Sequence, residues 1–180
     1  MVELSEIPEG KKLEFSELSD GEAFEDLVIS YFEDLKREKD NEIIDVNVKP
    51  SGTGTDGGRD ILVTFKVTDT IETFERRWVV QCKFHASNIS TDKIADINIP
   101  TLLYSYNAAG YLLVCRKKPT SKLTELFERL EANCKFDNKY SVWSGDQFKR
   151  LILMKSKKEI LKQYFPKYFN YCITNKFFTL

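Results

Sequence analysis

Two runs rich in branched and aromatic side chains, residues 60–67 and 77–84, flank a short polar segment at 68–75. Strands joined by so short a connection pair antiparallel, because a parallel pair needs a crossover of a dozen or more residues. Asp60 opens the first run and Gln81-Cys82-Lys83 lies towards the end of the second. Antiparallel pairing therefore brings Asp60 near Gln81. Side chains two apart on a strand share a face, so Gln81 and Lys83 point the same way and Cys82 points into the opposite layer. Ahead of the hairpin, Gly52-Thr53-Gly54-Thr55-Asp56-Gly57-Gly58-Arg59 reads as a turn whose last two glycines allow a sharp reversal and a close backbone approach to a ligand.

The rest of the chain supplies a helix before this hairpin and alternating elements after it. Ser19-Asp20-Gly21-Glu22 resembles a capping box, and Phe24, Leu27, Val28, Tyr31, Phe32 and Leu35 follow at helical spacing. Glu25 projects at the edge of this apolar stripe, where a carboxylate needs a partner or a metal, whereas Glu22 and Asp26 point further away. Residues 43–48 alternate loosely as a first strand. A helical region at 90–107 is expected to be kinked or divided by Pro100. Residues 110–115 are continuously apolar, as in a strand covered on both faces. Pro119 is expected to open a helix carrying Leu123, Leu126, Phe127 and Leu130. A fifth strand follows at 139–143, and Ser144 can cap a last helix with Phe148, Leu151 and Ile152 on its inner face. Three meandering strands followed by alternating helices and strands predict an α/β fold, with a central mixed sheet of about five strands and helices on both faces.

Charge is distributed unevenly. The net charge is −1, but residues 1–42 hold 14 acids and 5 bases while residues 43–180 hold 14 acids and 22 bases. The part with the hairpin is thus the basic part, a surface that suits a phosphate backbone. No apolar run approaches the roughly 18 residues of a membrane span, and the acidic N-terminus is not a signal peptide. Cys82, Cys115, Cys134 and Cys172 lack CxxC spacing, and only one histidine, His85, is present. A zinc site is not expected, and buried reduced cysteines point to the cytoplasm.

The hairpin carries the chemistry. Asp60 offers a hard anionic ligand, the Gln81 side-chain carbonyl a neutral one, and the Cys82 backbone carbonyl a further oxygen. Such a set suits Mg²⁺, which prefers about six oxygens and keeps several waters; Glu25 can reach it through a water. Lys83 can orient or help deprotonate an attacking water, or stabilise a pentacovalent phosphate. Asp56 is the competing acid, but it precedes two glycines as a turn residue does, so Asp60 is preferred.

These segments, Asp56-Gly57-Gly58-Arg59-Asp60, Val79-Val80-Gln81-Cys82-Lys83 and the helical Phe24-Glu25, resemble the Mrr-type restriction endonucleases. That family is a branch of the PD-(D/E)XK nucleases in which glutamine replaces the second acid of the motif. The resemblance covers about residues 20–145. It implies a three-layer α/β/α restriction-endonuclease-like fold with Asp60, Gln81, Lys83 and Glu25 as the site. It further implies Mg²⁺-dependent hydrolysis of DNA, with Mn²⁺ able to substitute, in prokaryotic defence against foreign DNA. Double-stranded DNA is then the expected partner, with a homo-oligomer and a fused or associated NTPase or sensor domain as further expectations. The alternative is a catalytically silent nucleic-acid-binding or protein-interaction module on the same scaffold.

The chain divides into an acidic N-terminal arm at 1–18, the nuclease-like domain at 19–155, and an aromatic C-terminal extension at 156–180, expected to pack on the domain or dock a neighbour, with the start of a further region or stacking on single-stranded bases as alternatives. Arg59 and the run Arg116-Lys117-Lys118 are candidates for phosphate contact, with solvated surface positions as the alternative. Arg76-Arg77 is read the same way, and His85 as a surface residue.

Overall fold

The computed structural model describes residues 12–35, 42–51, 58–69, 71–156 and 158–177. Its centre is a five-stranded sheet in the order β1 (Ile43–Pro50), β2 (Ile61–Thr68), β3 (Thr73–Lys83), β4 (Gly110–Cys115), β5 (Lys139–Trp143). The first three strands form the antiparallel meander, and β4 and β5 run parallel to β3. The two parallel steps require crossovers, supplied by α2 (Ile99–Ser105) and α3 (Ser121–Ala132). Both lie on one face of the sheet, where Val79, Tyr111, Leu113, Leu123 and Phe127 form a buried cluster. The opposite face is covered by α1 (Gly21–Leu35), α4 (Gly145–Lys155), α5 (Lys158–Tyr164) and α6 (Pro166–Thr174). There Phe24, Leu27, Val28, Ile61, Val63, Val80, Val114 and Phe148 pack together. The fold is thus α/β, a mixed five-stranded sheet with helices on both sides, as expected. All six residues of β4 are buried, because the strand is sandwiched between both helical layers.

Local details differ where turn chemistry overrides the apolar pattern. Thr68 pairs with Thr73, so the hairpin strands run further than 60–67 and 77–84. The Asp69 carboxylate closes the turn by accepting the N–H groups of Ile71 and Glu72, both at 2.8 Å. Pro100 does not divide a helix. It sits in the first turn of α2, where its missing N–H costs nothing, and Asn98 caps that turn by accepting the Thr101 N–H at 3.1 Å. A separate 3₁₀ turn, Thr91–Ile94, precedes it. Pro119 does not open α3 either. It bridges Ile89 in parallel, held by Ile89 N–H to Lys118 O and Thr120 N–H to Ile89 O, so the helix starts two residues later.

Both ends of the described chain contribute to the core. Leu13, Phe15 and Leu18, in the stretch expected to be an acidic arm, are buried. Phe15 meets the rings of Phe24 and Phe165 at centroid distances of 5.3 and 6.1 Å. Glu17 accepts the Lys167 and Tyr168 N–H groups at 2.7 and 3.1 Å, capping α6 across the sequence. Phe165, Tyr168 and Cys172 belong to the same cluster as α1. Residues 1–11 of the arm, and Phe178 in the C-terminal extension, lie outside the described residues.

Candidate active site

In a sheet with parallel strands, ligands gather beyond the carboxyl ends of those strands. Here that edge carries the end of β3 with Gln81 and Lys83, the end of β4 followed by Arg116, and the start of β2 preceded by Asp60. The strand register makes the arrangement. Ile61 pairs with Val80, and the Asp60 N–H donates to Val80 O at 3.1 Å, setting Asp60 opposite Gln81. The Asp60 Oδ2 atom then accepts the Cys82 N–H at 2.6 Å. Gly58, with φ +92°, makes the reversal just ahead of Asp60; a Cβ there would sit 2.5 Å from the Ile97 side chain.

Alternation along β3 divides its side chains between the two layers. Val79, Gln81 and Lys83 share the face of α2 and α3, while Val80 and Cys82 lie in the cluster beneath α1. Cys82 is buried, and desolvation lifts its thiol well above the ordinary value, so it is an inert packing group rather than a nucleophile. The Gln81 side chain is only 4% exposed. Its Oε1 atom accepts a hydrogen bond from the Tyr111 hydroxyl at 2.5 Å. Burial raises the Tyr111 hydroxyl well above its normal pKa, which keeps it a proton donor.

Glu25 arrives from the helix layer. Gly21, at the start of α1, is close enough to β3 that a Cβ on it would lie 3.8 Å from the Phe84 Cβ, and the Phe24 and Phe84 rings are 5.3 Å apart. This contact delivers the first turns of α1 to the end of β3. Glu25 is half-buried there, while Glu22 and Asp26 are exposed. Desolvation raises the Glu25 carboxyl above its ordinary pKa, the Asp60 charge adds to the rise, and Lys83 opposes it. Asp60 is raised by burial, opposed by the Cys82 N–H and by Lys83. Glu25 and Asp60 therefore lie within electrostatic reach of each other and of Lys83. Two partly desolvated carboxylates beside a neutral amide oxygen form a hard oxygen donor set, and a divalent cation between them would relieve their repulsion. Among the described residues no group of three or more His, Cys, Asp or Glu that could hold a metal ion is assembled. Asp56, the competing acid, lies outside the described residues.

The candidate phosphate contacts separate. Arg116 follows β4, its N–H bonded to Lys83 O at 3.0 Å and its guanidinium 4.4 Å over the Phe84 ring. Lys117 and Lys118 are exposed on the same edge and line a polar hollow of about 420 Å³ with Asn88, Asp146 and Lys149. Its positive charge is partly offset, because Lys118 and Lys149 lie 3.9 and 3.4 Å from Asp146. Gly145 is required here: a Cβ would lie 2.0 Å from the Arg116 carbonyl oxygen. Arg59 instead stacks its guanidinium 4.5 Å over the Tyr106 ring, towards α2. Arg77 pairs with Glu75 at 2.8 Å and Arg76 is exposed on β3 towards the hairpin, distant along the strand from Gln81. His85 is exposed. Larger hollows along α3 and β5, and between α2 and α3, include none of Asp60, Gln81, Lys83 or Glu25.

Sequence reasoning missed Tyr111. The available signal was a hydroxyl-bearing ring inside the otherwise apolar strand 110–115, because a buried tyrosine hydroxyl needs a hydrogen-bond partner.

The geometry can be set beside known proteins. Among curated proteins none matches the chain. Among solved structures, the chain is similar to the MspJI restriction endonuclease in complex with a 27-mer oligonucleotide, with a TM-score of 0.50 and 13% identity over 78% of this chain. It also aligns with the DNA modification-dependent restriction endonuclease AspBHI, with a TM-score of 0.48 and 8% identity over 89% of this chain. The chain spans 32% of the MspJI chain and 41% of the AspBHI chain. At that identity the MspJI likeness bears on the fold alone. A family model for the Mrr-type catalytic domain, described as restriction endonuclease, matches residues 17–152, the segment that contains the whole sheet, α1 and all four candidate site residues. The chain therefore belongs to the Mrr-type restriction endonuclease family.

Proposed function

We propose that this protein is a Mg²⁺-dependent endonuclease that hydrolyses phosphodiester bonds of double-stranded DNA, acting in prokaryotic defence against foreign DNA. The observation that carries this reading is the β2–β3 register, which sets Asp60 opposite Gln81 with its carboxylate on the Cys82 N–H, at the edge where Lys83 ends the strand. Membership of the restriction endonuclease family supports it.

In this reading Asp60 and Gln81 hold the cation, with the Cys82 carbonyl as a further oxygen and Glu25 acting through a water. Once bound, a divalent cation supplies charge neutralisation at the phosphate and a more acidic water. The chain's own residues do the rest. The Cys82 N–H fixes one carboxylate oxygen of Asp60, so the group meets its ligand in one orientation. Glu25 closes the site from the α1 side. Lys83 orients the attacking water and stabilises the extra negative charge of the pentacovalent phosphate. Arg116, Lys117 and Lys118, one strand away, bind phosphates beside the scissile one; Arg59 is a more distant contact. Mn²⁺ substitutes for Mg²⁺ because it accepts the same oxygen ligands. Cutting both strands of a duplex calls for two such sites, which favours a homo-oligomer. In this reading the chain is a catalytic module that works with an attached or associated sensor or NTPase domain. Action on DNA places the proposed activity in the cytoplasm; among the described residues no helix is long and apolar enough to cross a membrane.

The test is plasmid DNA incubated with wild-type protein or Lys83→Ala, in Mg²⁺, Mn²⁺ or EDTA. Loss of supercoiled plasmid is expected only for the wild type and only with a divalent cation. Undiminished Mg²⁺-dependent cleavage by Lys83→Ala overturns the assignment. Salt-sensitive binding with no cleavage under any cation would identify a silent nucleic-acid-binding module instead.

A further inference from the structure

We infer that Tyr111 is a positioning residue for Gln81, setting the orientation in which the side-chain amide presents its oxygen to the cation; this rests on the reading of Gln81 as a ligand. Gln81 and Asp34 are the buried polar or charged residues among those described, and of the two Gln81 lies on β3 opposite Asp60. A glutamine amide is nearly symmetric in shape but not in chemistry: one end accepts and the other donates. Left alone, a rotation about the last side-chain bond would turn the NH₂ group to the cation and abolish the ligand. The Tyr111 hydroxyl meets Oε1 directly. It occupies one of the two lone pairs of that oxygen and leaves the other available.

Tyr111 is well placed to hold this orientation. Its ring is fully buried and packs edge-on against Phe127, with centroids 5.8 Å apart. In the parallel register Tyr111 stands beside Val79 and Leu113 beside Gln81, so the tyrosine side chain reaches along the shared face to the next residue of that face. α3 thus supports the ring, the ring supports the hydroxyl, and the hydroxyl supports the ligand. Groups that orient a metal ligand in this way change metal affinity or activity by about 10–100-fold when removed.

The experiment compares wild type, Tyr111→Phe, Gln81→Ala and the double variant. Two quantities are read: the Mg²⁺ concentration for half-maximal plasmid cleavage, and the Mg²⁺ concentration for half-maximal rise of Tm without DNA. Tyr111→Phe is expected to raise both about 10-fold or more. It should have no further effect on the thermal shift once Gln81 is alanine. Replacement of Tyr111 by p-aminophenylalanine, which keeps a donor at the same place, should restore both values towards wild type. This variant also decides the matter if Tyr111→Phe does not fold. Unchanged Mg²⁺ dependence in Tyr111→Phe, or an equal effect in the Gln81→Ala background, overturns the inference while Gln81 remains a ligand. If Gln81→Ala itself leaves both Mg²⁺ midpoints unchanged, the ligand reading fails and the role of Tyr111 falls with it.

Discussion

The Asp60 carboxylate accepts the Cys82 backbone N–H at 2.6 Å, tying the start of β2 to the end of β3. One bond thereby fixes the orientation of the Asp60 carboxylate beside the segment that carries Gln81 and Lys83. A charge-assisted bond to a backbone N–H is short and strong, and it leaves Oδ1 for a cation.

Asp60→Asn separates these two roles. Asparagine keeps an oxygen to accept the Cys82 N–H but loses the charge. Cleavage should fall at least 100-fold, about 2.7 kcal/mol in the barrier, and the Mg²⁺-induced rise of Tm should vanish. In EDTA the variant should melt at or above the wild-type temperature, because a desolvated carboxylate has been removed. Plasmid cleavage and thermal melts with and without Mg²⁺ check both expectations.

The pH dependence follows from the raised carboxyls of Asp60 and Glu25. Each folded-state pKa lies above its unfolded value, so the folded protein holds these protons more tightly. Their stabilising contribution is complete below the unfolded pKa and is lost as pH rises through the folded one. Metal-free protein should therefore lose this part of its stability across and just above the ordinary carboxylate range, and Mg²⁺ should restore it. Apparent Mg²⁺ affinity should decline on acidification from a higher pH than for ordinary carboxylates. Melts and Mg²⁺ titrations at a series of pH values measure both trends, and neither trend should survive in Asp60→Asn/Glu25→Gln.

The C-terminal helices should act as core. Phe165 is fully buried and touches Phe15. Phe165→Ala is expected to cost about 3–5 kcal/mol, and removal of residues 164–180 should compromise folding. A truncated chain with an unaltered melt but lost association would instead mark the segment as a docking element.

Lys117 and Lys118 should contribute electrostatically rather than chemically. In a Lys83→Ala background, Lys117→Ala/Lys118→Ala should weaken duplex binding and reduce the slope of log affinity against log salt by about 2. The offset of Lys118 by Asp146 makes its share the smaller. Fluorescence anisotropy across a salt series measures the slope; an unchanged slope would remove these lysines from the DNA path.

Much of this organisation is legible in the chain because it is local. The stripe Phe24, Leu27, Val28, Tyr31 and Phe32 specifies α1, and alternation around a short turn specifies the β2–β3 hairpin. That hairpin converts Asp60 and Gln81 from distant positions into register neighbours, so their proximity is legible in the chain itself. The two prolines mark the limit: the sequence predicts a kink or break at Pro100 and a helix start at Pro119, but the Asn98 cap puts Pro100 in the first turn of α2, and a non-local bridge to Ile89 holds Pro119 ahead of α3. Only tertiary structure decided the rest. Glu25 couples to Asp60 because Phe24 packs on Phe84, Tyr111 meets Gln81 because two parallel strands share a register, and Phe165 joins Phe15 because α6 returns to α1. Periodicity determines which face of an element is apolar; which polar group meets another across two elements depends on how those faces pack, and no local pattern contains that.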